Sequence, residues 1–317
     1  MTKRNNLLEL WRFVFCMAVL LMHFVNSYNQ TIGGLPRICY AGYLGVEFFF
    51  IVAGYFIGAY YDKHQFQKSI PDRMRSIISY AWSRLVRLYP LYLVALVMIL
   101  IVRTIFVGKS FGYILTRIKN CFAEFILLQW SPLGNEVMIS AGWFVPAVLF
   151  GGLFFVILLA FTGRVGGYVI APVTSFLIYR YYFNLIGKID VIASYHGVVR
   201  AIAGVGFGVF IYFIVKLLCQ LLQKYNLTKI YSIIGITISS LIFTGIFIYT
   251  NFGHRCKIDF LIIALFGIGI LLLMSSQVKL PEKLDKLFGT LGKTTYPIYV
   301  LQMPIIEAIL FIIKAAI

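Results

Sequence analysis

The chain has 317 residues, 61% of them hydrophobic and 12% charged, and 28 Lys and Arg against 11 Asp and Glu give a formal net charge of +17. A soluble domain is about half apolar and a quarter charged, so this composition excludes an ordinary water-soluble protein. Nucleic acid is excluded as the reason for the positive balance, because the basic residues collect between apolar runs, where they orient a membrane protein.

Taken in chain order, the apolar runs fall at 7–26, 42–61, 88–107, 143–162, 166–186, 198–219, 229–250, 258–276 and 296–315. Each approaches the roughly 20 residues that span hydrocarbon. The expected fold is therefore all-α, a polytopic transmembrane bundle of nine spans. A tenth would need the segment 111–130, but Arg117, Lys119, Asn120 and Glu124 make it amphipathic and suited to the interface. The first run is long and lacks an Ala-x-Ala end, so it reads as a span and not as a cleavable signal. With no repeat or low-complexity tract in view, residues 1–317 are expected to form one membrane domain.

Basic residues set the expected sidedness. Lys3, Arg4, Lys63, Lys68, Arg73, Arg75, Arg84, Arg87, Lys224, Lys279, Lys283, Lys286 and Lys293 would share one side. The opposite side holds fewer, among them Arg37, Lys109, Lys188, Arg255 and Lys257. The asymmetry predicts a cytoplasmic N-terminus and, with nine spans, a C-terminus outside. The five cysteines show no Cys-x-x-Cys spacing and are expected to pack as small apolar residues.

Ionisable residues inside spans mark sites. Arg12 and His23 lie eleven residues apart in the first run. That is three helical turns, about 16 Å along nearly one face. Glu47, in the second run, is expected at the depth of His23, where it could orient the imidazole of a general base or simply bond two helices together. In SIISYAWSRLVRLYPLYLV (76–94), Arg84 and Arg87 share one helix face ahead of Pro90. They read equally as a clamp for phosphate oxygens or as interfacial anchors. Glu124 and Glu136 are expected as exposed loop carboxylates, Arg180 as a snorkelling or paired residue, and His196 with Arg200 as a solvated helix end. No Gly-rich phosphate loop, Ser-His-Asp arrangement or His-Glu-x-x-His zinc motif is present, so no metal is expected.

These residues also carry a resemblance. ELWRFVFCMAVLLMHF, GVEFFFIVAGYFIG and SRLVRLYPLY resemble the opening elements of the integral-membrane acyltransferase family 3. GWFVPAVLF (142–150), VVRAIAGVGFGVFIY (198–212) and LGKTTYPIYVLQMPII (291–306) are similar to later elements. The resemblance implies a membrane O-acyltransferase of the bacterial inner membrane. It would move an acyl group, acetyl in many members, from acetyl-CoA or a related acyl-CoA to a glycan or glycolipid acceptor at the cell surface. It implies His23 as catalytic base, Arg12 as its companion, an acidic residue at Glu47, and Arg84 and Arg87 as acyl-CoA contacts. Three positions depart from the pattern: Ala53 replaces a Ser, Val148 a Glu, and Gln302 a His. Exporter activity is the alternative, since spans with charged residues also line transport pathways. Transporters often show two related halves, and none are evident here.

Overall fold

A computed structural model describes residues 5–64, 69–108, 110–134, 136–193 and 195–316. Lys3, Arg4, Lys68 and Lys109, which contribute to the sidedness argument, lie outside the described residues. The elements are α1 (Asn6–Thr31), α2 (Leu44–His64), α3 (Ile70–Val107), α4 (Phe111–Asn120), α5 (Phe122–Phe125), α6 (Phe144–Val165), α7 (Ala171–Tyr181), α8 (His196–Lys224), α9 (Thr228–Phe252), α10 (Ile258–Ser275) and α11 (Glu282–Ala316), with no strand among the described residues. π-helical turns at Gly166–Ile170 and Tyr182–Ile186 flank α7.

Among the described residues eight helical stretches are long and apolar enough to cross a membrane, one of them the 47-residue stretch Ser140–Ile186. That stretch is two crossings. Gly163 takes φ 61° and ψ −136°, a backbone state open to glycine. The two limbs then run oppositely along α8. Gly151 meets Ala201 and Phe155 meets Gly206, whereas Gly167 meets Phe213 and Tyr182 bonds His196. Among the described residues nine crossings result, matching the nine apolar runs, and α1 and α11 run parallel, so their C-terminal ends share one end of the bundle.

α3 and α11 extend furthest beyond their apolar runs. α3 begins at Ile70 behind Ser69, with a proline in its first turn, and α11 begins at Glu282. Hydropathy reports only what sits in hydrocarbon, and charged residues do not stop a helix. Asn5 caps α1, its side-chain oxygen accepting from the backbone N–H groups of Leu7 and Leu8 at 3.2 and 3.3 Å. The 111–130 segment forms only the short α4 and α5, which do not cross.

Lipid tails give helices no hydrophobic reason to associate, so close packing must hold the bundle. The tightest approach joins α2 and α8. A Cβ on Gly54 would stand 2.0 Å from the carbonyl oxygen of Val205, and one on Gly208 would stand 1.9 Å from that of Ile51. A second contact zone is aromatic: Phe15 of α1 packs on Phe48 of α2 and Phe266 of α10, with ring centroids 4.8 and 4.9 Å apart.

Candidate functional site

The helix registers assign each charged residue to an end of the bundle. Asn6 Nδ2 donates to the Asp285 carbonyl at 3.1 Å, and Cys16 Sγ donates to the Thr295 carbonyl at 3.3 Å, so α1 and α11 run parallel in register. α3 joins them, with Tyr296 OH donating to the Leu88 carbonyl. Arg12, Arg84 and Arg87 therefore lie toward the end where α1 begins, the near end. The arginine-to-histidine polarity expected from the sequence is present, with His23 toward the opposite, far end.

At the near end Arg12 Nη1 pairs with Glu9 Oε2 at 2.7 Å, while its Nε is buried with no hydrogen-bond partner among the described residues. Arg84 is half-buried, its guanidinium 5.2 Å from the centre of the Tyr80 ring, and Arg87 is exposed. α3 continues unbroken through Pro90.

The far end differs from expectation at Glu47. Its oxygens bond Arg200 Nε and, at 3.1 Å, Tyr179 OH, and His23 is not among their partners. The reason is register. Gly42 lies against Ala18 and Gly45 between Phe15 and Val19, because neither carries a side chain to hold the helices apart. Glu47 then lies opposite the middle of α1, about 12 Å from the level of His23. Neither a hydrogen bond nor an ion pair to His23 is found among the described residues, and Asp190 is the charged group within its electrostatic reach.

Arg200 is the centre of a buried network that the sequence reading placed in solvent. It is 0% exposed, as is Glu47. Its Nη1 pairs with Asp190 at 3.1 Å, its Nη2 donates to the Tyr43 carbonyl at 3.3 Å, and its guanidinium lies 5.3 Å from the centre of the Trp143 ring. Arg255 holds the other Asp190 oxygen at 2.7 Å. Burial opposes charge on Asp190, but Arg200 and Arg255 outweigh it and leave its pKa below the ordinary carboxylate value. A signal was present in the sequence: Arg200, Gly204 and Gly208 repeat every four residues, so the stripe that packs against α2 carries Arg200 with it.

Glu124 is also buried, contrary to expectation, at 0% exposure. It accepts from the backbone N–H groups of Met138 and Ile139 and from Tyr92 OH, tying the α5 loop to α3. Burial pushes its carboxyl pKa up despite those donors. Glu136 instead pairs with Arg117. Arg180 is exposed, and His196 Nδ1 lies 2.9 Å from Tyr182 OH. The five cysteines are free thiols. No group of three His, Cys, Asp or Glu side chains suited to a metal occurs among the described residues.

The family model described as an acyltransferase domain, that of acyltransferase family 3, matches residues 5–316. This chain belongs to acyltransferase family 3. It is a multi-pass membrane acyltransferase, and the match takes in every helix from α1 to α11. No curated protein and no solved structure matches the chain. In this acyltransferase three constellations stand out: the α1 stripe of Arg12 and His23, the α3 arginines, and the Arg200 network, whose Asp190 lies within electrostatic reach of His23. The first two reach the near end together, and the third braces the far half of the bundle.

Proposed function

We propose that this acyltransferase is an O-acyltransferase of the bacterial inner membrane, with its near end in the cytoplasm. It takes an acetyl or related acyl group from acyl-CoA and delivers it to a hydroxyl of a glycan or glycolipid outside. The observation that carries this reading is the polarity of α1 and α3: guanidinium groups at one end and, three turns along, an imidazole with no hydrogen bond or ion pair among the described residues.

Arg84 and Arg87 bind the anionic phosphates of the donor, which a planar guanidinium does bidentately. The imidazole of His23 accepts the proton of the acceptor hydroxyl. The oxygen attacks the thioester carbonyl, the carbon–sulfur bond breaks, and the CoA thiolate leaves and takes a proton. Arg12 serves as the companion cation in the same helix. Glu47 is assigned a positioning role, fixing Arg200 and Tyr179, in place of the imidazole contact expected from the sequence.

The test uses sealed inside-out vesicles holding wild type or His23→Ala and given acetyl-CoA labelled in the acetyl group. CoA release and transfer of label to lumenal or membrane glycan are followed. Transfer that disappears in folded His23→Ala is the expected result. Equal consumption by both, or none by wild type across a range of donors and acceptors, overturns the reading in favour of an exporter.

A further inference from the structure

Gln302 stands out among the buried polar residues. It is 2% exposed, and among the described residues it alone has two buried side-chain polar atoms, Oε1 and Nε2, with no protein hydrogen bond. A primary amide left so inside a membrane bundle is costly, because neither lipid nor apolar side chains replace its lost water.

Its position is fixed by two matching stripes. On α1, Arg12, Cys16, Val19 and His23 follow at intervals of four, three and four residues. On α11, Thr295, Tyr299, Gln302 and Ile306 follow at the same intervals. Residues so spaced share one helix face. The Cys16–Thr295 bond and the seat of Gly292 against Glu9 hold the two faces together. In that register Gln302 lies level with Val19, about 6 Å along the axis from His23 and about 10 Å from Arg12. Arg12 Nε is likewise buried with no hydrogen-bond partner among the described residues. Unsatisfied polar groups thus run along the α1–α11 seam from the near end toward His23.

A primary amide offers one acceptor and one donor group, so it can accept from the N–H of one secondary amide or donate to the carbonyl of another. We propose that Gln302 binds an amide of the donor's pantetheine arm as that arm lies along the α1–α11 seam, carrying the thioester toward His23. This rests on the acyl-CoA reading above. The nucleotide phosphates stay with the near-end arginines, and the amide-bearing arm is the part of the donor that reaches Gln302. The arm's amides would otherwise be desolvated without partners, so the match determines which thioesters can be presented at depth.

The experiment compares wild type, Gln302→Met and Gln302→Glu in vesicles, with thermal unfolding recorded for each. Gln302→Met keeps the length and removes both polar atoms. Gln302→Glu keeps the shape and removes the donor. For both, the KM for acetyl-CoA is expected to rise about tenfold or more. Pantetheine, which has the amides but no nucleotide, is expected to compete with acetyl-CoA and to lose about tenfold in potency in Gln302→Met but not in Arg87→Ala. Gln302→Met should unfold no earlier than wild type, since it removes an unpaired amide. A KM and pantetheine inhibition equal to wild type in whichever variant folds overturns the proposal, as does a fall in thermal stability with unchanged KM. Wild type that consumes no acyl-CoA defeats the acyl-CoA reading itself, and this proposal with it.

Discussion

Arg200 of α8 closes on Glu47 of α2 where both side chains are fully buried, 153 residues apart in the chain. The pair sits at the far end of the tightest helix contact, so two glycine-lined backbones and one ion pair hold the same interface. Breaking a buried pair from one side leaves an uncompensated charge, which costs about 3–5 kcal/mol. Arg200→Leu is therefore expected to unfold well below wild type in detergent. Arg200→Leu combined with Glu47→Leu should recover part of that loss, whereas additive penalties would show that the two charges act independently.

Asp190 links this interface to acid sensitivity. Its pKa is held below the ordinary value by Arg200 and Arg255 against the effect of burial, so its ionisation stabilises the folded state. The contribution is complete above the unfolded-state value near about 4 and is lost as pH falls through the lower folded value. Hydrogen exchange in residues 187–193 should accelerate over that window in wild type. Asp190→Asn should exchange faster at neutral pH and show no such acid step.

The α2–α8 contact itself makes a sharper prediction. A methyl on Gly208 would stand 1.9 Å from the Ile51 carbonyl oxygen, and backbone cannot swing aside as a side chain can. Gly208→Ala is expected to cost about 2 kcal/mol or more through overpacking. Gly245 of α9 has nothing within 4 Å of an added Cβ, so Gly245→Ala should leave stability unchanged or raise it. Equal behaviour of the two variants in thermal unfolding would show that the α2–α8 approach is looser than described.

Under the proposed function the near-end arginines act on the donor. Arg84→Ala and Arg87→Ala are each expected to raise the KM for acetyl-CoA about tenfold, with a smaller change in kcat. Lysine at either position should restore little, because it cannot engage phosphate with two parallel bonds. Lys283→Ala, an exposed basic residue near the start of α11, serves as the control and should leave KM unchanged. A rise in all three would mean that net charge, and not a bidentate clamp, draws the donor.

The sequence alone determined the membrane class, the nine crossings and the family. Each of these depends on local pattern: twenty apolar residues span hydrocarbon whatever their neighbours, and the motifs around His23, Arg84 and Arg87 are contiguous. The spacing from Arg12 to His23 likewise fixed one face of one helix before any partner was known. The tertiary structure decided who meets whom. Glu47 went to Arg200 and not to His23 because glycines let α2 slide close to α1 and α8, which set the depth of its carboxylate. Glu124 is buried and Asp190 half-buried because distant segments cover them, and their local sequence resembles any polar loop. Gln302 acquired its interest in the same way, when the α1–α11 register enclosed both of its polar atoms and left them unpaired. Depth and pairing across helices are properties of packing, and packing is where the sequence stops speaking one residue at a time.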